Sequence, residues 1–349
     1  MKFTLAWLRD YLKTDSSIDE ILKALTDLGL EVEEVIDPVR KINHLKIGEI
    51  ITAEKHPDAD KLLVCNVLTD KGTQKIICGA PNARKGIKVV VAQPGDYVPG
   101  IDTTIKVGKI RGVESFGMMC SERELEISEE HDGIIELEPD AKVGQKYVDF
   151  VNNLDVTVDI AITPNRPDAL GVNGIARDLA ARGLGEFLEK KITAISGKYI
   201  SPIKVNLHDE VINGPCPLFV GRYIRGVANK PSPNWLQNRL RSIGLRPISA
   251  LVDITNFFTY DCARPLHVFD ADKIGQELSV RKARDGEELI ALDGENYSLT
   301  PDDTVIVSGD KVESLAGIIG GFDSGCNETT TNVFLESAFF SPQSTAKTG

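Results

Sequence analysis

A glycine-rich segment that carries two cations is the first candidate for chemistry in this sequence. Residues 109–121 read KIRGVESFGMMCS, so Lys109 and Arg111 stand directly beside Gly112. Glycine lets backbone N–H groups approach a phosphate closely, and a neighbouring cation adds charge to that contact. The segment therefore favours contact with phosphate or nucleic acid. The alternative is a loop that only closes a small β domain.

A lone histidine and a glutamate in the last third of the chain could support hydrolysis. His267 stands in the segment Arg264–Asp270, and Glu336 stands in Leu335–Ala338. Histidine can orient a water molecule or take its proton near neutral pH, and a carboxylate accepts hydrogen bonds. Both residues also have structural interpretations. A histidine beside proline and phenylalanine is commonly a satisfied structural group, and Glu336 could cap a strand end.

The charge of the chain is unevenly distributed along the sequence. The formal net charge is −12, which argues against a protein that coats nucleic acid in general. Residues 71–111 nevertheless contain eight basic residues against Asp96 and Asp102, whereas residues 114–140 are acidic, with Arg123 as their base. A locally basic face on an acidic protein fits selective contact with a polyanion. Chance alternation of charge on solvated strands explains the pattern equally well.

Cysteines and histidines are scattered, with no close pair of the kind that binds metal or performs redox chemistry. Free thiols in a reducing compartment and no structural zinc site are the expectation. No apolar run approaches the roughly 18 residues that a membrane span needs, and the first residues lack a signal-peptide pattern. The sequence thus indicates a cytoplasmic protein without a membrane segment.

The elements that would position these residues follow from the patterning. Ser17 to Glu20 has capping-box spacing ahead of a helix that Gly29 ends. Short β-type runs separated by turn residues fill residues 45–150, which predicts a small β barrel or sandwich, with the OB-fold as the obvious candidate. The predicted strands there are 45–51, 62–68, 75–78, 88–92, 103–107 and 133–137.

The remainder of the chain reads as strands mixed with helices. A helix is predicted over 171–181, and residues 190–200 read as a linker. From residue 203 onward the pattern predicts an α+β domain with one clear helix over 234–243, which Ser232 caps at its N-terminus. This domain is expected to be cut short, because Ser341-Pro342 could open a further helix near the last residue.

Two β-rich segments resemble the tRNA-binding OB domain family. They are His56–Leu62, followed by Cys78–Asn82, and Lys109–Ser121. The resemblance covers about residues 40–150. It implies tRNA contact through four positions on one loop, namely Lys109, Arg111, Ser115 and Met118.

Flanking segments resemble the phenylalanyl-tRNA synthetase β subunit family. The matching segments are Trp7–Leu12, Leu25–Glu33, Asp159–Asp168, Gly174–Ala181, Leu251–Asn256, Arg264–Asp270, Leu292–Gly294, Leu315–Gly321 and Leu335–Ala338. The implied fold class is α+β multidomain. A discontinuous N-terminal α+β domain (1–38 and 152–190) carries an inserted OB-fold β-barrel (39–151), and a mixed α/β editing domain (200–349) follows.

This resemblance implies a fragment that binds tRNA and hydrolyses tyrosyl-tRNA(Phe), within a ligase that attaches phenylalanine to tRNA(Phe). A phenylalanine pocket cannot strongly exclude tyrosine, whereas a second site that hydrogen-bonds the hydroxyl can reject phenylalanine. Glycines without Cβ atoms would let an aromatic ring lie against the backbone. The implied editing residues are His267, Arg246, Asn256, Glu336, Gly320 and Gly321.

The same resemblance implies cofactors and partners for the full enzyme. ATP and Mg²⁺ belong to the α subunit and to further β domains, so no nucleotide or metal ligand is assigned to this chain. The expected partners are tRNA(Phe) and the α subunit of an α₂β₂ heterotetramer. A family Thr-Asp-Ala segment that lines the pocket is expected beyond Gly349, which would leave the pocket incomplete. The alternatives are a tRNA-recruiting module or an assembly module without catalysis of its own.

Overall fold

A computed structural model describes residues 1–127, 131–151 and 154–349. The described chain divides into two compact units, one formed by 1–33 with 159–349 and the other by 34–158. Helices and several separate sheets confirm the predicted mixed α+β class. The three-domain division stays a prediction, and Asn152, at one of its boundaries, lies outside the described residues. Within the described ranges, no helix is both long and apolar enough to span a membrane.

The helices, in chain order, are α1 (Leu5–Arg9), α2 (Ile18–Asp27), α3 (Pro38–Ile42), α4 (Val172–Ala181), α5 (Asp209–Ile212), α6 (Asn234–Ser242), α7 (Ala250–Cys262) and α8 (Pro342–Thr348). The strands are β1 (Lys2–Thr4), β2 (Leu12–Lys13), β3 (Glu31–Ile36), β4 (Lys46–His56), β5 (Ala59–Thr69), β6 (Gly72–Cys78), β7 (Lys88–Ala92), β8 (Tyr97–Val98), β9 (Thr103–Thr104), β10 (Gly108–Ile110), β11 (Val113–Ser115), β12 (Met118–Met119), β13 (Glu136–Leu137), β14 (Thr157–Ala161), β15 (Glu186–Phe187), β16 (Lys204–Leu207), β17 (Leu218–Arg225), β18 (His267–Asp270), β19 (Glu277–Lys282), β20 (Glu288–Ile290), β21 (Asn296–Ser298), β22 (Thr304–Ser308), β23 (Lys311–Leu315), β24 (Ile319–Gly320) and β25 (Asn332–Phe339).

The unit formed by residues 34–158 is built on one antiparallel sheet. Its strand order is β12-β7-β4-β5-β6, with β13 also paired to β7. The closed barrel expected from the sequence is not found among the described residues, because β6 and β12 form no ladder with each other. Ser115 and Phe116 bridge that gap instead: the Phe116 N–H donates to the Lys75 carbonyl at 2.8 Å, and the Ile77 N–H donates to Ser115 Oγ at 3.1 Å. A side-chain acceptor thus replaces part of a backbone ladder.

The other unit contains two larger sheets that share an apolar core. One sheet has the order β16-β19-β22-β23-β24, in which β16 and β19 are parallel, and the other has the order β17-β25-β18. Phe269 and Phe334, from the second sheet, are buried in the same cluster as Leu278, Val280 and Ile306 from the first. This shared core fixes the second sheet, which carries the candidate site.

The helix predictions were confirmed in part. Ser17 and Glu20 form a complete capping box on α2, and α4 lies where a helix was predicted. α6 is also confirmed, but Ser232 is not its N-cap. Pro233 takes that position, and the Ser232 hydroxyl donates to the buried Asp253 carboxylate instead. α7 was not predicted, because the residues that it buries are polar.

A buried carboxylate at the C-terminal end of α7 ties the first residues of the chain to this unit. Asp261 is 3% exposed and accepts hydrogen bonds from Trp7 Nε1, at 2.7 Å, and from the Tyr11 hydroxyl. Burial, together with Asp261, raises the pKa of Tyr11, so its hydroxyl stays a donor. Lys190 Nζ lies 4.0 Å from the same carboxylate. One buried carboxylate therefore accepts hydrogen bonds from both ends of the segment Trp7–Tyr11.

Replacing Asp261 with alanine should destabilise this unit strongly. The change leaves two buried donors without an acceptor, and each such loss costs about 1–3 kcal/mol. We expect the free energy of unfolding in urea to fall by about 2–6 kcal/mol. Asp310→Ala is the control, because the Asp310 side chain is 93% exposed. Equal unfolding midpoints for the two variants would contradict the role given to Asp261.

Candidate functional site

Antiparallel pairing of β18 with β25 places His267 directly opposite Glu336. Residues opposite each other on one face of such a pair have Cβ atoms about 4.5–5.5 Å apart. β25 is the central strand of its sheet, since β17 pairs with its other edge. Two ionisable side chains from distant parts of the sequence thus occupy neighbouring positions on one sheet.

Both side chains line a cavity of about 420 Å³. Its walls are largely apolar, and its polar groups come from His267, Glu336, Arg264, Ser314 and Thr345. Other wall residues are Pro167, Pro265, Leu266, Leu315, Gly317, Ile318, Ile319, Gly320, Ala338, Phe339 and Phe340. Its size and its mixture of apolar wall with few polar groups are those of a small-molecule site.

Burial favours the neutral form of Glu336. The residue is 5% exposed, and its Oε2 is buried without a hydrogen-bond partner among the described residues. Burial disfavours the charged form and raises the pKa of the Glu336 carboxyl to about 8. A neutral carboxyl can accept through one oxygen and donate through the other.

His267 is also neutral at pH 7. Its Nε2 is buried and has no partner in the described part of the chain, and burial lowers the pKa of the imidazole to about 4. The ring meets Phe269 edge-on at 4.4 Å between centroids and lies against the backbone of Gly320. A Cβ at Gly320 would approach the His267 ring to 2.2 Å, so any larger residue there would displace the imidazole.

The structure brings together only some of the residues implied for editing. His267, Glu336 and Gly320 meet at the cavity, whereas Gly321 borders a different cavity beside Glu313. Among the described residues, Arg246 and Asn256 do not line the cavity of His267: Arg246 is exposed, and Asn256 is half-buried on α7.

Arg264 lines the cavity, although the sequence did not indicate a role for it. Its side chain is exposed and has no hydrogen bond or ion pair among the described residues. Its position in the same short segment as His267, three residues earlier, is the sequence feature that could have identified it as a site residue.

The basic loop forms a tight hairpin in the other unit. β10 pairs with β11 through Ile110 and Val113, which leaves a two-residue turn. Its residues, Arg111 and Gly112, have φ of 47° and 88°, as a type I′ turn requires. His56 Nε2 donates to the Ile110 carbonyl at 3.2 Å and anchors the hairpin.

The charges of this hairpin face solvent. Lys109 and Arg111 are exposed, and neither forms an ion pair within the described residues, although Glu114 lies opposite Lys109 in the register. Asparagine and glycine are the usual residues at the position of Arg111, because most other side chains strain a backbone with positive φ. The turn alone therefore does not explain the arginine.

The other two residues implied for tRNA contact lie deeper. Met118 is half-buried and lines a groove of about 940 Å³, together with Lys106, Ile110 and Ile134. Ser115 also borders the groove but is 4% exposed, and its hydroxyl donates to the Gly117 carbonyl at 3.1 Å. The Ser115 hydroxyl is therefore used within the protein.

In residues 1–127, 131–151 and 154–349, no group of three or more His, Cys, Asp or Glu side chains is arranged to hold a metal ion. Cys65, Cys78, Cys120 and Cys216 are buried free thiols.

The pKa values of the paired residues predict how stability depends on pH. Between pH 4.5 and 8 the folded chain keeps a proton on Glu336 that the unfolded chain has lost, so stability falls as pH rises. His267 has the opposite effect between about pH 4 and 6.5, where only the unfolded chain is protonated. The two effects oppose each other below pH 6.5, and from pH 6.5 to 8 a fall of about 2 kcal/mol remains.

Glu336→Gln should remove that fall, because its amide does not titrate. The measurement is urea unfolding of wild type and variant at several pH values from 5 to 9. Glu295→Gln, at an exposed position, should keep the wild-type profile. If the free energy of unfolding depends on pH in the same way in Glu336→Gln and in the wild type, the pKa of Glu336 is not raised.

Two domain families match the chain over separate regions. The family described as "Putative tRNA binding domain" matches residues 45–146, and the family described as "B3/4 domain" matches residues 215–349. The first lies in the unit with the basic hairpin, and the second contains the cavity residues from Arg264 onward.

Proteins described as phenylalanine–tRNA ligase beta subunits match nearly the whole chain. The protein from Ruegeria pomeroyi is 57% identical over 345 residues, which are 97% of this chain and 43% of that protein. Those from Mesorhizobium japonicum and Paramagnetospirillum magneticum are 55% and 54% identical, over 100% of this chain and 43% and 44% of their own lengths. The chain spans less than half the length of these curated relatives.

A solved N-terminal fragment of the phenylalanyl-tRNA synthetase beta subunit from Pyrococcus horikoshii is 18% identical, with a TM-score of 0.32 over 55% of this chain and 58% of that one. That likeness is too low to support an argument about the fold. The sequence identities, rather than this likeness, carry the comparison, and they agree with the resemblance that the motifs indicated. Over nearly its whole length, this chain is related to part of the phenylalanine–tRNA ligase beta subunit.

Proposed function

We propose that the chain supplies hydrolytic editing and tRNA binding to a ligase that attaches phenylalanine to tRNA(Phe) with ATP. The observation that carries the proposal is the pair of side chains, His267 and Glu336, whose buried atoms have no partner among the described residues and lie in one largely apolar cavity. Polar atoms buried without partners cost stability, so their retention in a cavity is typical of a site that a ligand completes.

The cavity suits the side chain of tyrosine attached to tRNA. Apolar walls accept the ring, and the neutral carboxyl of Glu336 offers a carbonyl oxygen to the tyrosine hydroxyl. Phenylalanine would leave the buried Glu336 Oε2 without a partner, which disfavours its binding. The site thereby selects tyrosine, which the phenylalanine-activating pocket of the ligase would accept by mistake.

His267 is the group proposed to hold the hydrolytic water. Its neutral ring presents a nitrogen that can accept a hydrogen bond from water. Water adds to the ester carbonyl, the bond to the ribose oxygen breaks, and free tyrosine and tRNA are the products. Arg246 and Asn256 are proposed to hold the terminal adenosine and the ester from outside the cavity. Arg264, at the cavity wall, is a further cation for the same end of the tRNA.

The basic hairpin is proposed to contact the tRNA backbone. Lys109 and Arg111 are exposed and unpaired in the described structure, and Met118 borders the groove beside them. Ser115 contributes by holding the strand position rather than by reaching RNA. The open sheet with this hairpin is proposed to be a variant of the OB-fold, which tolerates partial closure.

The remaining features of the proposed enzyme lie outside this chain. We assign ATP and Mg²⁺ to the full ligase and propose an α subunit as partner in an α₂β₂ heterotetramer, acting in the cytoplasm. The described residues offer no metal-binding group of their own.

Glu336→Ala, in a full-length ligase that carries this sequence, should abolish preferential hydrolysis of tyrosyl-tRNA(Phe). The tyrosine hydroxyl loses its acceptor in a buried slot, which costs about 1–3 kcal/mol and slows hydrolysis by about 5- to 150-fold. Phenylalanine charging should stay near normal. The measurement is deacylation of preformed tyrosyl-tRNA(Phe) and phenylalanyl-tRNA(Phe).

Two further variants make this experiment specific. His267→Ala should slow hydrolysis with less effect on the preference for tyrosine, because His267 is assigned to the ester. Glu295→Ala, at an exposed position, should change neither quantity. If Glu336→Ala hydrolyses tyrosyl-tRNA(Phe) at the wild-type rate and with the wild-type preference over phenylalanyl-tRNA(Phe), the assignment of the specificity pocket is wrong.

Neutralising the hairpin should weaken binding of every tRNA alike. Lys109→Gln with Arg111→Gln removes the cations for up to two phosphates, and each missing cation should lower the log–log salt slope by about 0.9. The measurement is tRNA titration at several salt concentrations. Arg84→Gln serves as control, because Arg84 already pairs with Glu136 at 2.6 Å. An unchanged slope in the double variant would mean that the hairpin is only solvated surface.

A further inference from the structure

Residues 163–171, here called the proline loop, border the cavity of His267 and Glu336 from outside the matched domain. Pro167, in this loop, lines the cavity and is exposed, so it stands at the cavity rim. The B3/4 domain family matches residues 215–349, and the loop falls within the range predicted for the N-terminal domain. Part of the cavity wall is therefore supplied by a segment that neither matched domain family covers.

A cluster of ion pairs holds the first half of the proline loop. Arg166 donates through Nε to Asp168 Oδ1 at 3.1 Å, and through Nη2 to both Asp168 and Asp178, the latter on α4. Arg177, also on α4, donates to the same two carboxylates. Hydrogen bonds from Arg166 lower the pKa of the Asp168 carboxyl to about 2, so this group stays charged at neutral pH. The loop is thus fixed to α4 by several charge-assisted hydrogen bonds.

The last residue of the proline loop packs against the turn that follows α7. A Cβ on Gly171 would meet the backbone nitrogen of Ala263 and, at 2.7 Å, the carbonyl carbon of Cys262. Gly171 has an extended backbone with a φ of −131°, which alanine also adopts. The glycine therefore serves the close approach of two backbones rather than an unusual conformation of its own.

The turn at Ala263 leads directly into the cavity residues. Ala263 is the C-cap of α7 and has a left-handed φ of 52°, which is uncommon for a residue other than glycine. Such a conformation persists where surrounding contacts enforce it. From this turn the chain passes through Arg264 and the rigid Pro265 to His267, and all three line the cavity. A shift of the turn would therefore be passed on to the cavity.

We propose that the proline loop is a positioning element for the proposed hydrolytic site. Gly171 holds the Ala263 turn, and the turn sets the positions of Arg264 and His267 at the cavity. The loop thereby controls how the tyrosyl ester meets the water on His267. Recognition of the ring belongs to Glu336 on β25, so the loop governs the rate of hydrolysis rather than the preference for tyrosine. The inference rests on the proposed function, because the rate concerned is that of tyrosyl-tRNA(Phe) hydrolysis.

The first measurement is the single-turnover rate constant for tyrosyl-tRNA(Phe) hydrolysis, at saturating concentrations of a full-length ligase that carries this sequence. Gly171→Ala pushes the Ala263 turn away, and a displacement of about 1 Å can slow a reaction by about 100-fold. We expect the rate constant to fall by about 10- to 100-fold, with an unchanged preference over phenylalanyl-tRNA(Phe). A merely structural role would lower the amount of folded enzyme, which does not alter a saturated single-turnover rate constant.

Gly214→Ala is the matched control for this substitution. In the described part of the chain, a Cβ on Gly214 would meet no atom within 4 Å apart from its own chain neighbours. The variant should hydrolyse tyrosyl-tRNA(Phe) at the wild-type rate. Phenylalanine charging should stay near normal in both glycine variants.

A second measurement needs no hydrolysis and uses the 349-residue chain with carbon-13-labelled histidine. The rings of His267 and Phe269 meet edge-on with centroids 4.4 Å apart, so the ring current makes the His267 signal sensitive to small displacements. Gly171→Ala should shift this NMR signal, which is identified by its loss in His267→Gln. The signals of His44 and His56, in the other unit, should stay unchanged.

Asp178→Asn tests the same loop if Gly171→Ala does not give the circular dichroism spectrum of the wild type. It weakens the ion pairs of the loop and should change both readouts in the same direction, though less. Arg182→Gln is its control, because it removes a different ion pair of α4, the one that joins Arg182 at the C-cap to Asp27 at 3.3 Å. This control should leave both readouts at their wild-type values.

The outcomes separate this inference from the proposed function. An unchanged His267 signal in the folded variant, a wild-type rate constant, an equal effect of the control, or a lost preference for tyrosine overturns the inference. If the wild-type ligase does not hydrolyse tyrosyl-tRNA(Phe) but Gly171→Ala shifts the His267 signal, the proposed function fails and the coupling of the loop to the cavity stands. If the wild type hydrolyses the ester and Gly171→Ala does so equally fast, only the positioning role fails.

Discussion

The pairing of β18 with β25 is the interaction on which the candidate site depends. It sets two ionisable side chains opposite each other at an apolar cavity, and burial favours the neutral form of both. A charged pair at the same position would form an ion pair, so the two side chains would hydrogen-bond each other before any ligand bound. The neutral pair keeps one nitrogen and one oxygen without a partner among the described residues, so the chemistry of the cavity comes from desolvation. Phe269 and Phe334, buried in the two strands, supply apolar packing that offsets its cost.

Local signals in the sequence predicted local structure well. The capping box of Ser17 and Glu20 and the strands of the β-rich region are readable because their patterns act over a few residues. α7 was missed because its buried positions hold Asp253, Thr255 and Asp261, which are polar and form no apolar stripe. The Ser232 cap was wrong for a related reason, since a buried carboxylate from α7 competes for the same hydroxyl.

The candidate site was predictable only through resemblance. His267 and Glu336 lie far apart in sequence, and no periodicity reports the strand register that joins them. Their neutral states were not predictable either, because burial depends on the assembled core. Arg264 could have been predicted as a site residue from its nearness to His267 in the sequence. Barrel closure could not have been ruled out, because the pattern of alternating apolar residues is the same in an open and in a closed sheet.

The hydrogen bonds from Trp7 and Tyr11 to Asp261 join residues separated by 254 and 250 positions in the chain. During synthesis at about 5–20 residues per second, the acceptor follows the donors by on the order of 10 to 50 seconds. In that interval the large apolar side chains of the first segment have no completed core to enter, while residues 34–158 emerge in full and can fold as their own unit. The segment from Trp7 to Tyr11 therefore completes these two hydrogen bonds only after Asp261 has been synthesised.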